Sequence, residues 1–202
     1  MARSESDPLS KLDPRAPLVL DTRELGRRPG SQREVSRTVP APADLGIEVL
    51  GVPEGSPVEL DLRLEAVMEG VLVTGTATAD LAGECARCLE PITDEIEVRF
   101  QELFVYEDQG VDPDEELEVS MLQNDLVDLE PLLRDAVVLA LPFQPLCRDD
   151  CPGLCTECGA RLADDPQHTH DAPVDPRWAA LSTLTGPEQA DDQAPGPSGP
   201  TT

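Results

Sequence analysis

Hydrophobic and polar residues alternate strictly in the segment VELDLRLEA, residues 58–66. This pattern predicts a strand with one buried and one solvated face, as in an antiparallel sheet. Two more alternating runs follow, VLVTGTATADL (71–81) and DEIEVRFQELFVY (94–106), and Glu69-Gly70 predicts a tight turn after the first run. Three consecutive strands with short links predict an antiparallel meander. The residues expected to face its core are Val58, Leu60, Leu62, Leu64, Ala66, Val71, Val73, Ala77, Ala79, Leu81, Ile96, Val98 and Phe100.

A helical spacing replaces the alternation in LVDLEPLLRDAVVLALP, residues 126–142. Asp128 is the expected N-cap, Pro131 fits a first turn, and Pro142 ends the helix. We expect this helix to lie on one face of the sheet. Its apolar face is predicted to consist of Leu126, Leu129, Leu133, Val137 and Ala140.

These elements predict an α+β fold: a small antiparallel β-meander with one packed helix, a C-terminal zinc-knuckle segment and disordered tails. A single domain is expected at 17–184, with its metal-binding segment at 142–171. A flexible leader at 1–16 precedes it, and a disordered tail at 185–202 follows it, because both are polar and rich in Pro, Ser or Gly. Three shorter features are expected within the domain: a first strand at 18–20, an exposed acidic loop at 107–118 and a helix at 175–184.

The composition limits how the core can be built. The chain has 202 residues and is 39% hydrophobic, but only 2% of its residues are aromatic. The core must therefore consist of Val, Leu, Ile and Ala, which bury less area per side chain than aromatic residues do. Such a core gains stability from a bound metal.

The net charge of −26 is unevenly distributed. Residues 1–40 hold eight Lys or Arg and six Asp or Glu, so the remaining residues hold seven and thirty-five. The acidic part repels nucleic-acid backbones and attracts basic partners, unless its charge reflects only solubility or a genome-wide bias. One basic stretch offers RNA contacts, although its arginines can equally solvate a loop or pair with the acidic body: Arg27, Arg28, Arg33 and Arg37.

The six cysteines indicate metal binding. No run of roughly 18 apolar residues spans a membrane, and the first residues lack the apolar stretch of a secretory signal. A cytoplasmic protein is therefore expected, and thiols are kept reduced there, which disfavours disulfides. Eight soft or borderline ligands fall in two short windows: Cys85 and Cys88, then Cys147, Cys151, Cys155, Cys158, His168 and His170.

Paired cysteines at this spacing favour zinc, which takes four tetrahedral Cys or His ligands. In one assignment there are two zinc sites, the first made by Cys85, Cys88, Cys147 and Cys151, the second by Cys155, Cys158, His168 and His170. In the other assignment a subset of the four cysteines at 147–158 holds one ion, and the CARC pair is left free. Independently of these assignments, the two histidines can be ordinary solvated loop residues.

Two other functions are possible for the cysteines. CARC resembles a thioredoxin-like redox pair, but that motif opens a helix in a βαβ unit, whereas here it joins two antiparallel strands. A redox-sensing zinc switch is a milder version of the same chemistry. A zinc-dependent hydrolase or nuclease requires an open ligand position, and abundant Cys favours closed structural sites. The chain also lacks a phosphate-binding G-x-x-x-x-G-K loop.

Four motifs in this order resemble the YceD family, also called the large ribosomal RNA subunit accumulation protein family. They are CARCLEPI (85–92), LALP (139–142), GLCTECG (153–159) and DPRWAAL (175–181), and the resemblance spans roughly residues 15–184. The segment ELGRRPGSQREVSRTVPAP (24–42) is similar to the version found in high-GC Gram-positive bacteria. Many relatives carry Cys-x-Cys where this chain has His168-Thr169-His170, an exchange that zinc tolerates.

The resemblance implies a role in the accumulation or processing of large-subunit ribosomal RNA, without a catalytic mechanism. The leading hypothesis is a non-enzymatic binding module. Its acidic body holds a basic large-subunit ribosomal protein, while its arginine-rich segment touches precursor RNA. The alternatives are the zinc-dependent hydrolase or nuclease and the redox-sensing zinc switch. No membrane or small-molecule partner is expected.

Overall fold

The computed structural model describes residues 12–107, 120–170 and 177. They belong to two compact units, one ending at Asp164 and one beginning at Asp165. In the second unit, the backbone N–H of His168 donates to the carbonyl of Asp165 at 3.0 Å and closes a turn. The first unit contains β1 (Val19–Asp21), β2 (Gln32–Pro40), β3 (Leu45–Ile47), β4 (Leu50–Val52), β5 (Pro57–Ala66), β6 (Gly70–Glu84), β7 (Pro91–Val105), β8 (Leu126–Asp128) and α1 (Glu130–Ala140).

The long strand β6 is the centre of a six-stranded antiparallel sheet. It pairs with β7 along its whole length, from Gly70 opposite Val105 to Glu84 opposite Pro91. On its other side it pairs first with β5 and then, near its end, with β4. β2 extends the sheet beyond β5, and β3 extends it beyond β4. β1 and β8 form a separate two-stranded ribbon.

The predicted meander is confirmed as β5, β6 and β7, and all thirteen residues expected to face its core are buried. They belong to one large hydrophobic cluster, the main core, which also contains residues of β1, β8 and α1. Leu20, Val127 and Leu133 represent these elements in it. The alternating pattern identified the faces correctly because strand side chains point to opposite sides with a period of two.

The helix prediction needs three corrections. Leu126 lies in strand β8, and the helix begins only at Glu130. The N-cap is Leu129, while the side chain of Asp128 accepts a hydrogen bond from the backbone N–H of Glu130 at 3.0 Å. Ala140 is exposed rather than core-facing. The short strand β8 leads almost directly into α1, and its apolar residues also fit the helical spacing. The sequence pattern therefore predicted one helix where the structure has a strand and a helix.

The fold is richer in β-structure than the predicted α+β class. The described residues form eight strands and a single helix. β2 escaped prediction because its inward positions mix Val35 and Val39 with Arg33 and Arg37, which hides the alternation. The β3–β4 hairpin has strands of only three residues.

Some sequence expectations lie outside the described residues. They are the tails at 1–11 and 185–202, most of the acidic loop at 107–118 and, apart from Arg177, the helix at 175–184. No helix among the described residues is long and apolar enough to cross a membrane.

Candidate metal centre

The first cysteine pair lies at the tip of the longest hairpin. Cys85–Glu90 is the turn between β6 and β7. The backbone N–H of Cys85 donates to the carbonyl of Glu90 at 2.8 Å, and that of Leu89 donates to the carbonyl of Cys85 at 2.9 Å. Leu89 adopts a positive φ of 60°, which is unusual for a residue with a side chain.

The second Cys-x-x-Cys pair forms the same turn. The backbone N–H of Cys155 donates to the carbonyl of Ala160 at 2.7 Å, and that of Gly159 donates to Cys155 at 2.9 Å. Gly159 has a positive φ of 72°. The two turns therefore share both hydrogen bonds and the left-handed residue that follows the second cysteine. Glycine adopts this conformation at no steric cost, whereas leucine in the first turn does not.

Three hydrogen bonds attach the segment after the helix to the hairpin tip. The backbone N–H of Ala86 donates to the carbonyl of Pro145 at 2.8 Å, and that of Leu154 donates to the carbonyl of Arg87 at 3.1 Å. Nη1 of Arg87 donates to the carbonyl of Cys151 at 2.9 Å. This pairing places Cys147 and Cys151 beside the first cysteine pair, although the two pairs are far apart in sequence.

The four thiols of the two segments form one cluster. All four sulfurs, of Cys85, Cys88, Cys147 and Cys151, lie within 4.8 Å of one another. Two opposite edges of the set are 3.8 Å for Cys85 to Cys151 and 3.6 Å for Cys88 to Cys147. Because zinc–thiolate bonds are about 2.3 Å long, sulfurs around a tetrahedral zinc lie about 3.8 Å apart. The geometry favours the assignment in which CARC contributes ligands.

The site lies outside the main core. Cys85, Cys88 and Cys151 form a small separate buried cluster, packed against Ile92, Leu146 and Leu154. We call this cluster, together with Cys147, the cysteine corner. Cys147 is its only exposed thiol. A cluster with three partly buried aliphatic neighbours gives little hydrophobic stabilisation.

Three thiols of the corner have shifted pKa values. Burial raises the pKa of Cys85, but hydrogen bonds from the backbone amides of Cys147, Arg87 and Cys88 outweigh it and lower that pKa to about 6. Burial and the neighbouring thiols, Cys88 first, raise the pKa of Cys147 to about 12. The pKa of Cys88 is also raised: the backbone amide of Glu90 lowers it, but burial and its thiol neighbours prevail. One thiolate thus forms readily, and its charge opposes further ionisation.

A cation is the group that relieves this repulsion. Four thiolates close the coordination shell of a tetrahedral ion and leave no position for water or substrate, which is the donor set of a structural site. The donors fit zinc, which would be held by Cys85, Cys88, Cys147 and Cys151.

The other four predicted ligands are two local pairs in different units. In the first unit, the sulfurs of Cys155 and Cys158 lie within 4.8 Å of each other. In the second unit, Nε2 of His168 lies 2.8 Å from Nε2 of His170, and Nδ1 of His168 lies 4.0 Å from a carboxylate oxygen of Asp165.

Two of the four candidate RNA-contacting arginines face the β1 segment. Arg33 pairs with Glu24 at 3.2 Å, and Nη2 of Arg37 donates to the carbonyl of Val19 at 3.3 Å. Both lie on the inward side of β2, and burial lowers the pKa of Arg37. These two arginines therefore contact the chain's own main chain and carboxylates.

The other two arginines are more open to solvent. Arg27 lies over the ring of Tyr106, 4.5 Å from its centroid, and pairs with Asp125 at 3.3 Å. The side chain of Arg27 is still 54% exposed. Arg28 is exposed too.

Sequence reasoning missed two residues of the Cys85–Glu90 turn that shape the cysteine corner. Arg87 holds the carbonyl of Cys151, and an arginine between two cysteines carries no recognisable signal for that role. Leu89 has a signal that could have been found: aligning CARCL with CTECG places Leu89 at the position of Gly159, and therefore in a left-handed turn.

Comparison with known proteins places the chain in a family. A family model described as "Large ribosomal RNA subunit accumulation protein YceD" matches residues 73–185, more than half of the chain. The chain belongs to the YceD family. An uncharacterized protein of Mycobacterium tuberculosis is 47% identical over 189 residues, covering 93% of this chain and 90% of the relative.

More distant members are also similar. An uncharacterized protein of Mycobacterium leprae is 43% identical over 174 residues, covering 86% of this chain and 80% of the relative. The uncharacterized protein YlbN of Bacillus subtilis is 25% identical over 130 residues, covering 64% and 74% respectively. No solved structure matches this chain. The YceD match includes both Cys-x-x-Cys turns and all four thiols of the cysteine corner.

Proposed function

We propose that this protein is a non-enzymatic, cytoplasmic assembly factor that supports the accumulation of large-subunit ribosomal RNA by binding a basic ribosomal protein, precursor RNA or both. Membership of the YceD family, whose name refers to this RNA, carries the proposal. The closed donor set of the cysteine corner supports a binding role over a zinc-dependent hydrolase, because catalysis needs an open ligand position.

Two zinc ions serve as structural staples in this proposal. The first is held by the four thiolates of the cysteine corner, supported by sulfur–sulfur distances of 3.6 and 3.8 Å. The second is held by the Cys155–Cys158 turn and the His168–His170 pair, supported by the repeated backbone turn and by the 2.8 Å approach of the two ring nitrogens. Each site then has four protein ligands and a structural role.

The exposed face of the sheet supports a basic partner. Asp80 and Glu95 lie directly opposite each other on β6 and β7, and both are exposed. No ion pair among the described residues neutralises either of them. Two residues before Asp80 on β6, Thr78 lies opposite Glu59 of β5 on one side and Glu97 of β7 on the other. The negative charge therefore extends across β5, β6 and β7. Like charges placed opposite each other destabilise a sheet, and a cationic partner removes this cost.

The RNA contact is assigned to Arg27, Arg28, Arg33 and Arg37, as the charge distribution of the sequence predicts. Arg28 and Arg27 are the better placed of the four, because Arg33 and Arg37 already bind β1 or its neighbours. Removing two phosphate contacts flattens the dependence of log affinity on log salt concentration by about 2.

Replacement in a mycobacterial strain tests the proposed function. The strain is depleted of its own YceD-family protein and receives this chain or none. Depletion should lower the ratio of 23S to 16S ribosomal RNA and slow the appearance of large subunits in sucrose gradients, and this chain should restore both. An unchanged ratio after depletion, with normal gradients, would contradict the proposal.

A variant separates the RNA contact from the rest of the function. Arg27→Ala with Arg28→Ala should weaken the affinity for large-subunit precursors more at low salt than at high salt, because fewer phosphate contacts flatten the salt dependence, while zinc content stays unchanged. The matched control is Arg63→Ala with Arg99→Ala, which removes two exposed arginines from the outer face of the sheet. If both double variants bind precursors equally well at every salt concentration, the arginine-rich segment does not contact RNA.

A further inference from the structure

Phe143 is the most unusual apolar residue of the described surface. The chain has three phenylalanines, and two of them, Phe100 and Phe104, are buried in the main core. Phe143 is 94% exposed. Leu139, one turn earlier on α1, is 85% exposed, and Val138 beside it is 36% exposed. In a chain this poor in aromatic residues, an exposed phenylalanine within five residues of two exposed aliphatic side chains marks a candidate binding surface.

The segment that carries Phe143 is fixed at both ends. Leu141 before it is buried in the main core, and its N–H donates to the carbonyl of Val137 at 3.1 Å. Pro145 after it accepts the hydrogen bond from Ala86 at the hairpin tip. Two prolines also restrict this short stretch, one on each side of Phe143. The ring is therefore presented by a stiff backbone, which lowers the entropy cost of binding.

The charge around this surface favours a cationic occupant. Asp135 precedes Leu139 by one helical turn, and both are exposed. The last turn of α1 contains no basic residue, so no side chain of that turn offsets the negative end of the helix dipole. An incoming Lys or Arg next to an apolar side chain would match both features.

The same charges disfavour the other possible occupants. A second copy of this chain would add its own net charge of −26 and bring two negative helix ends together. RNA would bring phosphates towards Asp135 and the helix C-terminus, although a base can stack on an aromatic ring.

We propose that Val138, Leu139 and Phe143 form the docking surface for a basic protein partner, which inserts an apolar side chain against Phe143 and places a neighbouring Lys or Arg at the C-terminus of α1. This inference rests on the proposed function in one respect: that function implies that the partner is a protein of the large ribosomal subunit. Because Phe143 lies between the main core and the cysteine corner, zinc at the corner helps to hold the surface in place.

Photo-crosslinking in growing cells tests this proposal. p-Benzoylphenylalanine at position 143 closely resembles the native side chain, so folding is preserved. The control carries it at position 68, since Met68 is 76% exposed in the turn between β5 and β6. The full-length variants replace the native family member in the mycobacterial strain, and adducts are identified by mass spectrometry.

The expected result is an adduct at position 143, absent at position 68, with a basic protein whose crosslinked peptide contains an apolar residue close to Lys or Arg. Adding Leu139→Ala should reduce its yield by at least about fivefold, since central anchors dominate binding. An adduct with RNA or with a second copy, equal adducts at both positions, or none at all would overturn the proposal.

The same strain separates this inference from the proposed function. If the protein with the photoreactive residue still restores the ratio of 23S to 16S RNA but gives no adduct at position 143, the docking surface is wrong and the function stands. If depletion never changes that ratio, the proposed function fails regardless of the crosslinks.

Discussion

The main core and the cysteine corner are held together by different forces. The main core buries more than two dozen apolar side chains, so hydrophobic burial alone can support it. The cysteine corner buries three thiols against three partly buried aliphatic residues. Burial of this size gives little stabilisation, but its four sulfurs lie within 4.8 Å of one another and could hold a metal ion. A small protein can therefore extend a hairpin well beyond its core if an ion replaces the missing apolar contacts.

Removing one corner ligand should separate the two regions most clearly. Cys151→Ser is expected to release the ion of the corner, because zinc ligation contributes about 10 kcal/mol or more to structural sites of this kind. Hydrogen exchange should then lose the protection of the Ala86 and Leu154 amides while the amides of β5 and β6 keep theirs. Loss of the whole sheet together with the corner would show that the two regions are not independent.

A substitution in the main core should have the opposite effect. Leu133 is 1% exposed, and Leu133→Ala is expected to lower the free energy of unfolding by about 2–5 kcal/mol. Zinc content per folded chain should stay unchanged, as measured by native mass spectrometry. Leu139→Ala on the exposed side of the same helix is the control, with a change within about 0.5 kcal/mol. Zinc loss from the folded Leu133→Ala protein would argue against separate regions.

Zinc binding to the corner should release protons. At pH 7 the thiols of Cys88 and Cys147 are protonated, because the pKa of each is raised, that of Cys147 to about 12. Both must lose their protons to bind zinc, so at least two protons per ion are expected, and affinity should fall as the pH is lowered. Below pH 6 it should fall more steeply, since Cys85 also gains a proton there. Calorimetry in buffers of different ionisation enthalpy measures the number of protons released at pH 7. A value clearly below two would contradict this prediction.

The smallest expected effect compares the two turns. Leu89→Gly should stabilise the corner by about 0.5–1 kcal/mol, because glycine avoids the left-handed strain of leucine but loses more backbone entropy. Gly159→Leu is the reciprocal change. No heavy atom lies within 4 Å of the added Cβ, so its cost should come from the backbone alone. The temperature at which each variant releases zinc measures both effects. If the two substitutions shift this temperature in the same direction, the two turns are not equivalent.

Local patterns predicted the part of the fold that repeats regularly. The alternation in β5, β6 and β7 predicted the strands and also which face of each is buried, since one side of each strand faces the core and the other faces solvent. β8 and α1 were merged because Leu126 and Leu129 fit a helical spacing although a strand ends between them. β3 and β4 are too short for any pattern.

The cysteine spacing predicted the ligands but left their pairing open. Which of the two zinc assignments holds depends on the contact between Ala86 and Pro145, which joins residues far apart in sequence. No local pattern encodes such a contact. Phe143 was missed for a similar reason: its place in an apolar run suggests burial, and only the path of the chain after α1 exposes it.

Counting the metal in freshly purified, reduced protein tests the central claim most directly. Native mass spectrometry should find two zinc ions per chain, and X-ray absorption at the zinc edge should show three sulfurs to one nitrogen on average over the two sites. The cysteines should resist alkylation until the zinc is removed. A folded protein that contains no zinc and has six freely reactive thiols would contradict the account.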